Sequence, residues 1–316
     1  MNQHNIFSRV AQLDKIVVRH PALQNALLGI KECVTKTHFY REPMGSLLLA
    51  EGGMGKTTVC RSILAEMPES IKVDSNMSRT LVPAFYASVP SPASVKSVAA
   101  SLLAKLNDPS PLAGTTAHMT TRLCHLLAIC ETKLVFLDEF HHLFDVQRTT
   151  TRINLQVCNW IKSLVNSSKV SFCLVGTPTF APILASDSQL ARRFPIQFLL
   201  NPFTAGTNEY PGTLAPFLNE IREYSMQQLE LKAFPHFGEE HIINQIYIAT
   251  GGNPSFIMSL IKESILNALT SGTNTVCLKN FSAAWEKGIT SQATLSKNNP
   301  FLMSPGSLAG IIRGNL

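Results

Sequence analysis

Ser46-Leu-Leu-Leu-Ala50-Glu51-Gly52-Gly53-Met54-Gly55-Lys56-Thr57-Thr58 is the stretch on which the reading of this 316-residue chain turns. Ser46–Ala50 reads as a buried strand and the glycines as a turn. Lys56 onward reads as a helix with Val59, Ile63 and Leu64 on one face, stopped by Pro68. A glycine-rich turn between a buried strand and a helix N-terminus aims several backbone N–H groups at one spot, and the helix dipole makes that spot attractive to anionic oxygens. Gly52, Gly53, Met54, Gly55, Lys56, Thr57 and Thr58 are therefore expected to cradle the phosphates of ATP. Lys56 is expected to reach the β- and γ-phosphates and Thr57 to ligate Mg2+, with Thr58 at the α-phosphate. The strict Gly-x-x-x-x-Gly-Lys-Thr spacing departs at its first position, Ala50. A backbone of negative φ tolerates alanine there, and Gly52-Gly53 keep the turn permissive.

Working outward, Leu134-Val-Phe-Leu-Asp138-Glu139 is a second apolar strand closed by an acid pair. At the tip of a parallel strand both carboxylates face the crevice where ligands of α/β folds bind. Asp138 is expected to hold Mg2+ through a water, and Glu139 to polarise an attacking water as general base. His141-His142 follow; as neighbours on a helix they are expected to point to different sides and not to share a metal, as an i, i+4 pair would. Val175-Gly176-Thr177-Pro178 ends a third strand and is expected to bring Thr177 near the γ-phosphate. Arg192-Arg193-Phe194 lies beyond the sheet, badly placed for its own nucleotide but well placed for a neighbour's. An arginine finger supplied in trans contributes about 10³–10⁵ in rate.

The rest of the chain sets these motifs in an α/β frame. Strand signals at Leu81–Ala87, Lys133–Leu137, Val170–Val175 and Ile196–Leu200 alternate with helical ones at Ser94–Leu106, His118–Cys130 and Ile153–Val165. Continuous apolar strands separated by helices predict a parallel sheet covered on both faces. After Asn201-Pro202 only helices are indicated: Leu214–Leu229, Glu239–Thr250, Ser255–Thr270 and Lys279–Lys287, punctuated by Gly251-Gly252-Asn253-Pro254. The expected organisation is an N-terminal segment packing on the core (1–45), a nucleotide-binding core (46–200), a helical lid (201–290) and a C-terminal tail (291–316).

Composition narrows the classes. With 45% hydrophobic and 15% charged residues the chain is neither a disordered charged polymer nor a coiled-coil rod. A net charge of +6 is compatible with a nucleic-acid partner. The seven cysteines are odd in number and widely spaced, with no Cys-x-x-Cys pair, so they read as reduced core thiols. No apolar run has the length of a membrane helix, and the N-terminus lacks the apolar region of a secretion signal; a cytoplasmic protein without a membrane partner is expected.

Taken in order, the phosphate loop, the Asp-Glu strand, the Gly-Thr strand end, Arg-Arg-Phe and a helical segment with Gly-Gly resemble an AAA+ P-loop ATPase. Asp138-Glu-Phe-His-His-Leu143, Cys173-Leu-Val-Gly-Thr-Pro178, Gln189-Leu-Ala-Arg-Arg-Phe194 and Thr250-Gly-Gly-Asn-Pro254 narrow the resemblance to the TniB/TnsC family of transposition regulators, over roughly residues 15–290. Val17–Pro21 resembles that family's adenine-side segment. The resemblance implies a bacterial ATPase that oligomerises with ATP into rings or filaments on duplex DNA. It implies partners too: other copies of the chain, transposase subunits and a target-selector protein of the TniQ type. It makes Glu139 catalytic and Arg193 the trans finger, beside the Thr177 that the strand end places to sense the phosphate or align the water, and puts sequence-tolerant DNA contacts at Lys96, Thr115 and Thr116. One departure is Ser255, where many relatives carry an arginine after Gly-x-Pro. Other AAA+ machines, initiator-like or secretion-associated, and a weakly hydrolysing scaffold are the alternative readings.

Overall fold

The computed structural model describes residues 3–74, 77–147, 150–153, 155–206 and 211–314. It divides into two units, one formed by Pro21–Leu200 and the other by Met1–His20 with Asn201–Leu316. Helix α1 (Gln3–Val10) opens the chain, followed by a 3₁₀ turn at Ala11–Lys15.

The Pro21–Leu200 unit begins with α2 (Pro21–Phe39), β1 (Ser46–Ala50) and α3 (Lys56–Glu66). An antiparallel hairpin, β2 (Ser70–Asp74) with β3 (Met77–Leu81), precedes β4 (Ala84–Ser88), α4 (Val95–Lys105) and α5 (Thr116–Ile129). Next come β5 (Leu134–Asp138), a second hairpin of β6 (Phe144–Gln147) and β7 (Thr150–Ile153), and α6 (Leu155–Ser168). β8 (Ser171–Gly176), α7 (Ala181–Ser186), α8 (Ser188–Arg193) and β9 (Ile196–Leu200) complete the unit. The five-stranded sheet has the order β4-β5-β8-β1-β9 and is parallel throughout.

Every residue of β1, β5 and β8 is buried, because helices cover both faces of the central strands. The pleat sends alternate side chains to opposite faces. Leu47, Leu49, Val135, Leu137, Phe172 and Leu174 join Leu103, Met119 and Val157 in one core. Leu48, Ala50, Phe136, Cys173 and Val175 join Ile30, Val59 and Ile63 in the other. Because the strands are parallel, all their C-terminal ends emerge along one edge, and the predicted chemistry sits there. Neither hairpin was expected from the sequence.

The other unit holds α9 (Leu214–Gln228), α10 (Glu240–Thr250), α11 (Pro254–Thr270), α12 (Leu278–Glu286) and α13 (Pro305–Gly314). Leu218, Ile221, Ile246, Ile257, Leu260 and Phe281 form its core together with Ile6 and Leu13. One expectation is corrected here. Residues 1–45 do not pack on the sheet unit as one segment. Ile6, Val10 and Leu13 bury themselves among the C-terminal helices, Arg9 donates to the Leu229 carbonyl, and the Tyr224 hydroxyl donates to the Gln12 carbonyl at 3.2 Å. The tail, too, is built into this unit over its described residues, 291–314. Phe301 packs on Phe281 with ring centroids 5.8 Å apart, and α13 lies against α10 with Leu308 fully buried. In both cases a few apolar side chains at helical spacing find a ready hydrophobic surface.

Candidate nucleotide site

The turn between β1 and α3 has the conformation an anion cradle needs. Gly55 caps α3 in the left-handed region at φ +95°, a backbone that favours glycine. A Cβ added at Gly52 or Gly55 would meet nothing within 4 Å, so the loop borders open space at both glycines. Met54 is buried and anchors the loop from below, while Thr57 is exposed and Thr58 half-buried at the first turn of α3. Lys56 Nζ donates to the carbonyls of Ala50 at 2.6 Å and Glu51 at 3.0 Å, which holds the ammonium over the loop.

Asp138 ends β5 and is only 8% exposed. Its Oδ1 accepts the Glu139 backbone N–H at 2.8 Å, and its Oδ2 accepts the hydroxyl of Tyr86 from the neighbouring strand β4. Burial pushes the Asp138 carboxyl above its usual range, against the lowering by that N–H. A raised carboxyl within the field of Lys56 is one that a cation would hold ionised. The donors here, a hydroxyl and a carboxylate, are oxygens of the kind Mg2+ prefers. The residues present thus fit both a phosphate chain and a hard dication. Glu139 adopts a left-handed backbone at φ +54°, and its side chain is 49% exposed, turned out of the sheet. Its Oε2 lies 3.0 Å from His141 Nδ1.

Thr177 directly follows β8, at the same strand edge as Ala50 and Asp138, and its hydroxyl lies 3.0 Å from that of Thr179. The sheet therefore gathers the loop, Asp138, Glu139 and Thr177. It does not gather Arg193. Helix α8 ends at the opposite edge, where the Gly45 N–H, just before β1, donates to the Arg193 carbonyl at 2.8 Å. There the Arg193 guanidinium pairs with Glu42.

Helix α4 leaves the C-terminal end of β4, and α5 delivers the chain to the start of β5. The start of α4 therefore lies at the strand edge that carries the loop and the acid pair. Lys96, Thr115 and Thr116 are exposed on those two N-termini; Thr115 caps α5 by accepting the His118 N–H at 3.3 Å, and Ser94 and Ser97 form a capping box on α4. Neither helix carries an acid in its first turn. Lys96 thus adds its charge to the positive end of a helix dipole, an arrangement that suits an anion.

A further correction concerns the histidines. Phe140–Leu143 is a 3₁₀ turn, with the His141 and His142 rings tilted together at 4.3 Å between centroids. The assumed divergence of neighbouring helical side chains does not occur, because His141 swings to Glu139 while His142 Nδ1 reaches the Val89 carbonyl at 2.8 Å. Sequence reasoning also missed Tyr86; the signal available was a phenol near the end of a strand in a chain with a known acid pair, but its partner is 52 residues away. Seven free cysteines are present; burial raises the thiols of Cys158, to about 11, and Cys173, to about 12, well away from reactive thiolates. Among the described residues no helix is long and apolar enough to cross a membrane.

The fold has solved counterparts. The Orc1 protein of Aeropyrum pernix, determined in complex with DNA, matches with a TM-score of 0.55 at 15% identity, over 85% of this chain and 66% of that one. The ORC2 protein of the same organism, in ADPNP and ADP complexes, matches with a TM-score of 0.58 at 12% identity, over 86% and 68%. The RuvB Holliday-junction branch-migration motor of Thermotoga maritima matches with a TM-score of 0.50 at 17% identity, over 88% and 71%. At these identities the likeness is one of fold, the AAA+ P-loop fold, and this chain spans about two-thirds of the length of the Orc proteins. No curated protein sequence matches the chain. Residues 10–202, more than half of the chain, match the family described as bacterial TniB protein, and on that match the chain belongs to the TniB family.

Proposed function

We propose that this protein is an ATP-dependent regulator of DNA transposition. ATP and Mg2+ assemble it on duplex DNA, the assembly links target-site selection to the transposase, and hydrolysis takes the assembly apart. The observation that carries this reading is the meeting, on one edge of the sheet, of an open glycine loop with Lys56 and the acid pair Asp138-Glu139, in a chain of the TniB family.

In this reading Gly52, Gly53, Met54, Gly55, Lys56, Thr57 and Thr58 bind the nucleotide, and Thr57 with Asp138 holds Mg2+. The metal, when bound, neutralises charge on the transferring phosphoryl group. Glu139 orients and deprotonates the attacking water, Thr177 aligns it, and Arg193 serves a neighbouring copy. Lys96, Thr115 and Thr116 grip the DNA backbone without reading bases, so affinity falls with salt and hardly depends on sequence. Other copies of the chain, transposase subunits and a TniQ-type selector are the protein partners, in the bacterial cytoplasm. The helical unit 201–290 acts as the lid, with Ser255 leaving nucleotide sensing weak.

The test is electron microscopy with duplex DNA, with and without a non-hydrolysable ATP analogue. Rings or filaments that require both support the reading; particles indifferent to DNA overturn its assembly step and turn the protein into another kind of AAA+ ATPase. Glu139→Gln should lock the assemblies in the ATP state, and unchanged turnover in that variant would remove Glu139 as base.

A further inference from the structure

The turn after β5 brings together more than the mechanism above uses. One ligand atom each of Glu139, His141 and His142 lies within 4.8 Å of the other two. His142 Nδ1 faces the Val89 carbonyl, which only accepts, so that nitrogen carries the proton and Nε2 keeps its lone pair. A ring N–H donated to a backbone carbonyl is the usual second contact of a metal-bound histidine, fixing its tautomer and orientation. The scaffold behind it is rigid: the Val89 N–H donates to the Asp138 carbonyl at 2.9 Å, and the His142 N–H to the Glu139 carbonyl at 2.9 Å. The front is open, since the Glu139 and His141 side chains are 49% and 33% exposed.

We propose that Glu139, His141 and His142 bind one borderline transition-metal dication such as Zn2+, at a site separate from that of Thr57 and Asp138, and that the ion halts ATP turnover by taking up Glu139. Two imidazoles and a carboxylate favour Zn2+, Co2+ or Ni2+ over Mg2+, which takes oxygen ligands. Tetrahedral Zn2+ with bonds of about 2.0–2.1 Å sets its ligand atoms roughly 3.3 Å apart, so side-chain rotations within the present cluster close it, and water fills the fourth position. With one carboxylate oxygen on the metal, the Glu139 side chain is held toward the histidines, and the cation lowers the basicity of the other oxygen, so it no longer serves the attacking water as a base. Nucleotide binding, which uses the loop, is left intact. The inhibitory half rests on Glu139 being the base; the binding half does not.

The experiment titrates the full chain with Co2+ in the absence of nucleotide and reads the visible d–d absorption. The expected result is saturation at one ion per chain, with affinity lower by about 100-fold in His142→Gln and in His141→Gln. Equal Co2+ binding by wild type and both variants, or no band at all, overturns the site. A second measurement compares ATP turnover with and without added Zn2+, under excess Mg2+, as a ratio within each protein. That ratio should collapse for wild type, recover on chelation, and stay near one for His142→Gln. Co2+ binding at the site together with a Zn2+-insensitive rate overturns the inhibition. A wild type with no turnover under any condition faults the ATPase reading instead, and the Co2+ titration still decides the site.

Discussion

Tyr86→Phe removes one hydroxyl and leaves the ring in place on β4, so its effect isolates the hydrogen bond to Asp138 Oδ2. A hydrogen bond to a charged group contributes about 1.5–3 kcal/mol. Asp138 is buried and already raised by desolvation, so losing a donor disfavours its ionised form further. The sign follows: a metal requires the carboxylate, so the variant's Mg2+-dependent gain in nucleotide affinity falls, and the deficit widens as pH drops. At most the full hydrogen-bond energy is lost, a factor of about 10 to 100; rearrangement within the site brings the expected loss to about tenfold. The assay is titration of a fluorescent ADP analogue in EDTA and in Mg2+, between neutral and mildly acidic pH. Affinity in EDTA should be unchanged, because the substitution keeps the ring and removes only the hydroxyl, whose bond is to Asp138. In an Asp138→Asn background the same substitution should add little, since both changes act through one contact. A Mg2+ gain equal to that of wild type, or a tighter one, would refute the argument, as would full additivity with Asp138→Asn.

Other consequences are more local. Gly252 sits at φ +70°, and a Cβ there would lie 2.0 Å from the Phe203 carbonyl oxygen, whereas Gly272 at φ +76° faces open space. Denaturant unfolding should therefore show a loss of about 3 kcal/mol or more for Gly252→Ala against about 1 kcal/mol for Gly272→Ala; equal losses would leave the steric argument without support. Asp187 caps α8 by accepting the Gln189 and Leu190 N–H groups and pairs with Lys162 at 3.1 Å. Asp187→Ala should cost about 1–2 kcal/mol at neutral pH. The Leu190 N–H above all holds this carboxyl below its usual range, so the stabilisation is present above that range and lost as pH falls through the folded value; the cost of the mutation should shrink on acidification. Burial lowers the imidazole of His20, which packs edge-on against Phe203 at 4.9 Å. The unfolded chain then takes up the proton first, so wild type should lose stability as pH falls from the ordinary histidine value through the lower folded one, and His20→Phe should show no such slope in thermal melts across that window.

What the sequence made legible follows from where burial leaves a mark. Ser46–Ala50, Leu134–Asp138 and Ser171–Gly176 are central parallel strands, apolar along their whole length because both faces are covered, and such runs are readable without partners. The loop at Gly52–Thr58 is readable because its glycines answer a local need. The β2–β3 hairpin left no such mark: Ile71 and Val73 are 71% and 74% exposed, so no periodic burial announces it. Residues 291–316 read as a tail because polar residues, two prolines and scattered glycines and serines interrupt the apolar ones, yet Phe301 and Leu308 are enough once α10 and α12 supply a surface. Tyr86 and Asp138 meet only through the register that sets Tyr86 beside Phe136, which no local pattern encodes. A helical spacing splays the histidine pair, whereas Glu139 is left-handed and the following turn is 3₁₀, a local conformation that no apolar pattern announces.

The same topology argues for what one copy cannot do alone. Parallel strands collect the loop, the acid pair and Thr177 at their C-terminal ends and leave Arg193 at the N-terminal end, tied to Gly45 and Glu42. β1 separates the two places by its five residues, about 16 Å at roughly 3.3 Å each, beyond the reach of an arginine side chain. Glu42 is 57% exposed, so the ion pair that holds Arg193 is a weak restraint. If Arg193 acts in turnover, it acts on a second copy. On the proposed roles, Lys56→Ala should remove nucleotide binding but keep the arginine, and Arg193→Ala should do the reverse. Each alone should be nearly inactive, and an equal mixture should regain activity, because about a quarter of randomly formed head-to-tail interfaces pair an intact loop with an intact arginine. A mixture no faster than its components, under conditions where both assemble, would return Arg193 to the role of a surface ion pair.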